Sequence, residues 1–134
     1  MGNDVQQRYI ELQMLEKQII QAQKQIQSLE NQIIEINIIK QGLGDLETKE
    51  KDTEILTPIS NGIFVKATLK DNNTLLVNVG ANIVVEKNIE DTKKLLDHQL
   101  EEIKKFQARL ISDFQKMNER MLRYEKELNE LISE

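Results

Sequence analysis

The chain has 134 residues, of which 39% are hydrophobic, 31% are charged and 4% are aromatic, with no tryptophan. This length allows one domain at most, and the shortage of bulky core residues favours long helices over a compact globule. The absence of cysteine excludes disulfides, thiol nucleophiles and thiolate metal sites, and a net charge of -5 has the wrong sign for a protein that neutralises phosphates.

The amino-terminal sequence predicts no export. It has neither the basic start nor the apolar core of a secretory peptide. The apolar runs of the chain are far shorter than the roughly 18 residues of a membrane span. Together with the absence of cysteine, these features lead us to expect a cytoplasmic protein.

A heptad repeat runs through the first third of the chain. Positions a and d are mostly apolar in successive heptads. The a residues are Val5, Leu12, Ile19, Ile26 and Ile33, and the d residues are Arg8, Leu15, Ala22, Leu29, Ile36 and Leu43. Asn3 is a candidate helix cap, and Gly42 and Gly44 should end the helix. We therefore predict a coiled-coil helix over residues 1–44.

The middle of the chain follows a different pattern. Residues 45–54 are charged and lack apolar periodicity, which predicts a loop. Apolar residues then alternate over residues 55–87 and predict two β-hairpins. The four strands are expected at about residues 56–59, 63–70, 74–79 and 83–87. Turns are expected at Asn61-Gly62 (type I′), Gly80-Ala81-Asn82 and Asp71-Asn72-Asn73.

Four strands as short as these make only a marginal sheet in isolation, and their open edges require partners. We therefore expect one apolar face of the hairpins to be buried between subunits. The residues assigned to this subunit interface are Ile63, Val65, Leu75, Val77, Val79, Ile83 and Val85.

A second heptad repeat fills the last third of the chain and predicts a helix over residues 88–134. Asn88 is a candidate cap, with Asp91 three residues further on. The repeat has polar exceptions at Lys93 and Gln107. Its a residues are Leu100, Phe114, Met121 and Leu128, and its d residues are Ile89, Leu96, Ile103, Leu110, Met117, Tyr124 and Leu131.

The two helices can pair if the hairpin segment reverses the chain. In an antiparallel pair, the numbers of facing seam residues have a constant sum, and a sum of 136 matches each a residue with a d residue, as in Val5 with Leu131. This register also places small Ala22 opposite large Phe114. Sums of 129 and 143 preserve the pairing of a with d and remain possible, but 136 leaves the two ends flush. The predicted fold is α+β, an antiparallel two-helix coiled coil joined by two short β-hairpins.

The hairpin segment carries the more specific motifs. They are Leu56-Thr57-Pro58-Ile59, Gly62, Phe64, Val77-Asn78-Val79-Gly80 and Ile83-Val84-Val85-Glu86-Lys87. Between two long helices, this order resembles the α-type subunit of prefoldin over the whole chain, because the α class has two hairpins and the β class has one. The chain departs from the family at residues 60–63, where a glycine-rich stretch is usual.

The resemblance implies an ATP-independent chaperone, a holdase of the cytosol that needs no cofactor. In that family two α and four β subunits join through an intersubunit β-barrel, from which six coiled coils project. Their tips hold unfolded polypeptides and deliver them to a group II chaperonin. The implied partners are therefore β-type prefoldin subunits, unfolded clients and a group II chaperonin, with no nucleic acid and no membrane.

Apolar residues near the free ends of the helices are candidates for binding clients. Exposed apolar groups at one end of a rod mark an interaction surface, and methionine adapts to unrelated partners. The candidate client-binding residues are Val5, Tyr9, Ile10, Met14, Leu122, Leu128 and Ile132. Ile20, Phe106 and Ile111 also lie off the seam in the middle of the rod, and scattered surface hydrophobics are normal. Nearer the strands, off-seam residues are expected to pack on the sheet, namely Ile34, Ile38, Ile39 and Leu95.

No catalytic residue and no metal ligand is assigned. The sequence has no phosphate-binding glycine loop, and its single histidine, His98, falls at a water-facing heptad position. Two other functions stay open. One is a purely structural coiled-coil spacer. The other is an RNA-binding helical hairpin, which needs a basic stripe, whereas residues 88–134 carry nine basic and eleven acidic side chains.

Overall fold

A computed structural model describes residues 2–133, so the predicted helix ends at residues 1 and 134 lie outside the described part. The elements in chain order are α1 (Gly2–Glu47), β1 (Glu54–Ser60), β2 (Ile63–Thr68), β3 (Thr74–Asn78), β4 (Val84–Asn88) and α2 (Ile89–Ser133). The chain divides into two compact units. The coil unit contains the described residues up to Ile33 and from Glu101 onward, and the hairpin unit is Ile34–Leu100.

Helix α1 is longer than its glycines suggest. It passes through Gly42 and Gly44 and ends at Glu47, so the predicted end at residue 44 is wrong. A glycine inside a helix costs about 1 kcal/mol relative to alanine. Contacts with α2 hold these last turns, because Lys40 forms an ion pair with Asp97 and Lys93 Nζ lies 3.0 Å from Glu47 Oε2.

The two predicted helix caps have different outcomes. Because α1 already begins at Gly2, Asn3 lies inside the helix and its assignment as a cap is wrong. Asn88 precedes α2, and its side-chain oxygen accepts a hydrogen bond from the Asp91 backbone N–H at 2.7 Å, which confirms this cap. The Thr92 hydroxyl adds a second bond by donating to the Asn88 carbonyl at 2.8 Å.

In the coil unit the heptad seam is the core. Its buried apolar residues are Leu12, Leu15, Ile19, Ala22, Ile33 and Leu128. The polar seam residue Gln107 donates hydrogen bonds across the seam to the Ile26 carbonyl at 3.4 Å and to Glu30 Oε2 at 3.0 Å. The numbers of these partners add to 133 and 137, which agrees with an antiparallel register of 136 and not with 129 or 143.

Disulfide cross-linking provides a direct test of this register. Cysteines introduced at Leu12 and Tyr124, which share a layer at a sum of 136, are expected to form a disulfide within one chain. The protein has no native cysteine, so the product is easily assigned by electrophoresis without reductant and by peptide mass. Cysteine pairs that join Leu12 to Met117 or to Leu131 serve as controls, and preferential cross-linking of either would show that the register is shifted by one heptad.

In the hairpin unit the core combines a continuation of the heptad seam, where Ile36 and Leu100 share the sum of 136, with residues in or next to the strands. Its buried apolar residues are Ile36, Leu69, Ile89 and Leu100. Ile34, Ile38 and Ile39 are exposed and Leu95 is half-buried, so the expectation that the three isoleucines pack on the sheet is wrong. A helix of 3.6 residues per turn cannot direct the seam and these off-seam positions to the same side.

The connector after α1 is an ordered loop. The Asp52 N–H donates to the Leu69 carbonyl at 2.7 Å, and the Leu69 N–H donates to the Thr53 carbonyl at 2.9 Å. The Asn72 side-chain amide donates to the Lys49 carbonyl at 2.8 Å. In the next turn, the Asn73 N–H donates to Asp71 Oδ1 at 2.8 Å, and this bond lowers the pKa of the Asp71 carboxyl. The charged connector is therefore tied to the loop between the hairpins.

The strands form two separate two-stranded antiparallel sheets, β1 with β2 and β3 with β4. A bulge between Pro58 and Ser60 shifts the first register, and at the following turn only Gly62 has positive φ. The predicted position of the turn at Asn61-Gly62 is confirmed, but the predicted type I′ is wrong, because that type needs positive φ at both central residues.

The second hairpin contains the turn that the first lacks. Ala81 and Asn82 have φ values of 51° and 61°, and the Ile83 N–H donates to the Gly80 carbonyl at 2.9 Å. Positive φ at both central residues is the signature of a type I′ turn. The predicted break at Gly80-Ala81-Asn82 is confirmed.

Candidate functional site

The two hairpins expose apolar side chains on both of their faces. On the face assigned to the subunit interface, Leu75, Val77 and Val85 are half-buried, whereas Ile63, Val65, Val79 and Ile83 are exposed. The opposite face was not predicted from the sequence. Its exposed apolar residues are Leu56, Phe64, Leu76 and Val84, and Leu76 has the highest exposed fraction, 73%.

A signal for the opposite face was present in the sequence. The strands contain unbroken apolar runs at residues 63–65, 75–77 and 83–85. Such runs are typical of strands that are buried on both faces, whereas strict alternation is typical of strands with one solvated face. Each sheet has only two strands, so every strand also keeps one unpaired edge. This combination suits contact with strands and apolar surfaces of other chains.

The second candidate surface lies in the coil unit, toward the ends of the two helices. Its exposed apolar side chains have exposed fractions of 53% to 65%, and they are Tyr9, Ile10 and Met14 on α1 and Leu122 and Ile132 on α2. The other two predicted client-binding residues are different, because Val5 is half-buried and Leu128 is 9% exposed in the seam. Leu128 can contact another molecule only when the helices separate, whereas Val5 is partly accessible.

Arg8 interrupts the seam next to this surface. Its guanidinium lies 3.0 Å from Glu127 Oε2, 3.6 Å from Glu11 Oε2 and 5.7 Å from the ring centroid of Tyr124. Glu127 Oε2 is removed from solvent and has no well-aligned hydrogen bond, so its contact with Arg8 is an ion pair and not an ideal hydrogen bond. The feature of the sequence that points to this ion pair is the arginine at a d position, because polar seam residues specify the register of a coiled coil.

Exposed apolar residues also occur in the middle of the coil unit. Ile20, Phe106 and Ile111 are exposed, and the Arg109 guanidinium lies 5.7 Å from the Phe106 ring centroid. A cleft of about 310 Å³ beside small Ala22 is lined partly by Leu110 and Met117. Apolar exposure is therefore not confined to the helix ends.

The described residues contain no candidate metal centre. Across residues 2–133, no group of three or more His, Asp or Glu side chains is placed to hold a metal ion. His98 is exposed on α2. Neither helix is, over its described length, apolar enough to cross a bilayer. What the arrangement provides is exposed apolar surface on the hairpins, toward the helix ends and in the middle of the coil unit, suited to binding polypeptides.

Comparisons with known proteins agree with this arrangement. A family model described as "Prefoldin subunit" matches residues 15–134. A protein of Pyrococcus horikoshii named prefoldin subunit alpha is 33% identical over 105 residues, which cover 71% of each chain. A Methanococcus aeolicus protein of the same name is 24% identical over 132 residues, covering 98% of this chain and 90% of that one. Among solved structures, filamentous PFD from Methanocaldococcus jannaschii matches with a TM-score of 0.70 and 20% identity, covering 92% of this chain and 96% of that chain.

Proposed function

The chain belongs to the prefoldin family, and from that premise we propose that it captures unfolded polypeptides at the ends of its coiled coil while its hairpins hold it in a larger assembly. It is a chaperone subunit of the α type and assembles with other prefoldin subunits. We further propose that these partners are β-type subunits, in the arrangement of two α and four β that the family resemblance implies.

The observation that carries this proposal is the exposure of Tyr9, Ile10 and Met14, which are all more than half exposed near one end of α1. Burying apolar surface contributes about 25 cal/mol per Å², so non-native chains, which expose such surface, bind to it. The coil unit and the hairpin unit each carry exposed apolar residues, which supports separate roles in client binding and in assembly.

The remaining parts of the proposal rest on the resemblance. We propose that the protein works in the cytoplasm without ATP and passes its clients to a group II chaperonin. The sequence has no phosphate-binding glycine loop, which supports independence from nucleotide.

Suppression of aggregation tests the proposal. The chain is co-assembled with β-type subunits, a chemically denatured test protein is diluted into the mixture without nucleotide, and light scattering is recorded. We expect a delay in aggregation that increases with the concentration of the complex. A purely structural spacer would reach the same native mass and give no delay.

Addition of a group II chaperonin with ATP is then expected to restore the activity of the test protein. Failure at this step alone would contradict the proposed transfer to a chaperonin and leave the proposed binding of unfolded clients intact.

A further inference from the structure

Helices α1 and α2 of the hairpin unit differ on their outer sides. The outer side of α2 carries charged or polar exposed residues such as Lys94, Asp97 and His98. On α1, Ile34 and Ile38 are exposed at fractions of 49% and 64%. A helix that contacts only one partner needs one apolar stripe, whereas a helix that is apolar all round is buried. The outer side of α1 is therefore the side that calls for a second partner.

The exposed residues of α1 form a continuous row. Ile34, Ile38 and Gly42 are spaced four residues apart, and such rows are the ridges by which helices pack into the grooves of other helices. Gln41, which lies beside the row, is exposed and uncharged. The row thus combines two large apolar side chains with one residue that has no side chain.

Gly42 has no evident role inside the described chain. A Cβ atom added at this position would meet nothing within 4 Å, so no contact among the described residues requires glycine there. Glycine inside a helix is nevertheless unfavourable, and its usual benefit is that another backbone can approach closely. An exposed helical glycine at the end of an isoleucine row is what a closely packed neighbouring helix would need.

We propose that the ridge of Ile34, Ile38 and Gly42 packs against a helix of a neighbouring prefoldin subunit. The ridge lies in the same compact unit as the hairpins, so this contact would extend the assembly surface from the strands onto α1. The inference rests on the proposed function only in taking the hairpins as the assembly surface.

A matched pair of glycine substitutions tests the ridge. Gly42→Ala and Gly44→Ala are the same change two residues apart, which places them on nearly opposite sides of the helix. Both should raise the thermal midpoint of the isolated full chain by roughly a few degrees, because alanine is the better helix former. Gly42→Ala should also weaken assembly about tenfold, because the added methyl group overpacks a close contact. Gly44→Ala should leave assembly unchanged. Equal assembly of the two variants, measured by native mass during dilution, would overturn the inference.

Photo-cross-linking gives a second readout that does not depend on helix stability. A photoreactive residue in place of Ile38 is expected to give an adduct with the mass of a second subunit, and the same residue in place of His98 should give none. Adducts with client only, or no adduct, would contradict the proposed contact. If the complex delays aggregation but gives no subunit adduct, the proposed ridge contact is wrong and the proposed holdase function stands. If the complex gives the subunit adduct but does not delay aggregation, the proposed holdase function is wrong and the ridge contact stands.

Discussion

Val77→Asp is expected to dissociate the assembly. Val77 lies in β3 opposite Val85 of β4, and it is already half-buried in the isolated chain. If subunits pack against this face, the side chain becomes fully buried, and an unpaired carboxylate there costs several kcal/mol. Since every 1.4 kcal/mol is a factor of ten in affinity, we expect assembly to weaken by at least about a hundredfold. Native mass spectrometry and sedimentation of the mixed subunits measure this loss.

The control places the same charge in the same hairpin unit but away from the proposed interface. Asn73 is exposed in the loop before β3, and its backbone N–H, which the substitution keeps, donates to Asp71 Oδ1, so Asn73→Asp should assemble like the wild type. Circular dichroism of both variants establishes that the helices are intact. If Val77→Asp retains the native mass of the wild type, this strand face is not the assembly interface.

Replacement of the exposed apolar residues at the helix ends is expected to give a complex of full size that no longer delays aggregation. The variant carries Ser or Gln at Tyr9, Ile10, Met14, Leu122 and Ile132. These side chains are more than half exposed, so the free energy of unfolding should change little. Client affinity should fall by about tenfold or more, because the apolar area that binds non-native chains is removed and several coiled-coil ends act together on one client.

A second variant tests whether the effect is specific to the helix ends. Ile20, Phe106 and Ile111 are exposed in the middle of the coil unit, and polar replacement there changes a similar kind of surface. We expect this variant to protect a denatured client as well as the wild type does. If instead the end variant protects fully and the middle variant does not, clients are held along the rod and not at its ends.

Local and periodic features of the fold could be predicted from the sequence. The heptads placed the seam correctly, because burial of a stripe depends only on helical periodicity. The cap at Asn88 could be predicted because its hydrogen bond spans three residues. The register of 136 agrees with the hydrogen bonds of Gln107 to the Ile26 carbonyl and to Glu30 across the seam.

The features that could not be predicted depend on contacts between distant residues. Gly42 and Gly44 did not end α1, which continues to Glu47 and meets α2 there through the ion pairs of Lys40 and Lys93 with residues far along the chain. At Asn61-Gly62, the bulge beside Pro58 changed the turn that a local rule favoured. The exposure of Ile34 and Ile38 could not be predicted either, because an apolar residue is the same in sequence whether it meets its own sheet or another molecule, and only the packed chain shows which surface is left uncovered.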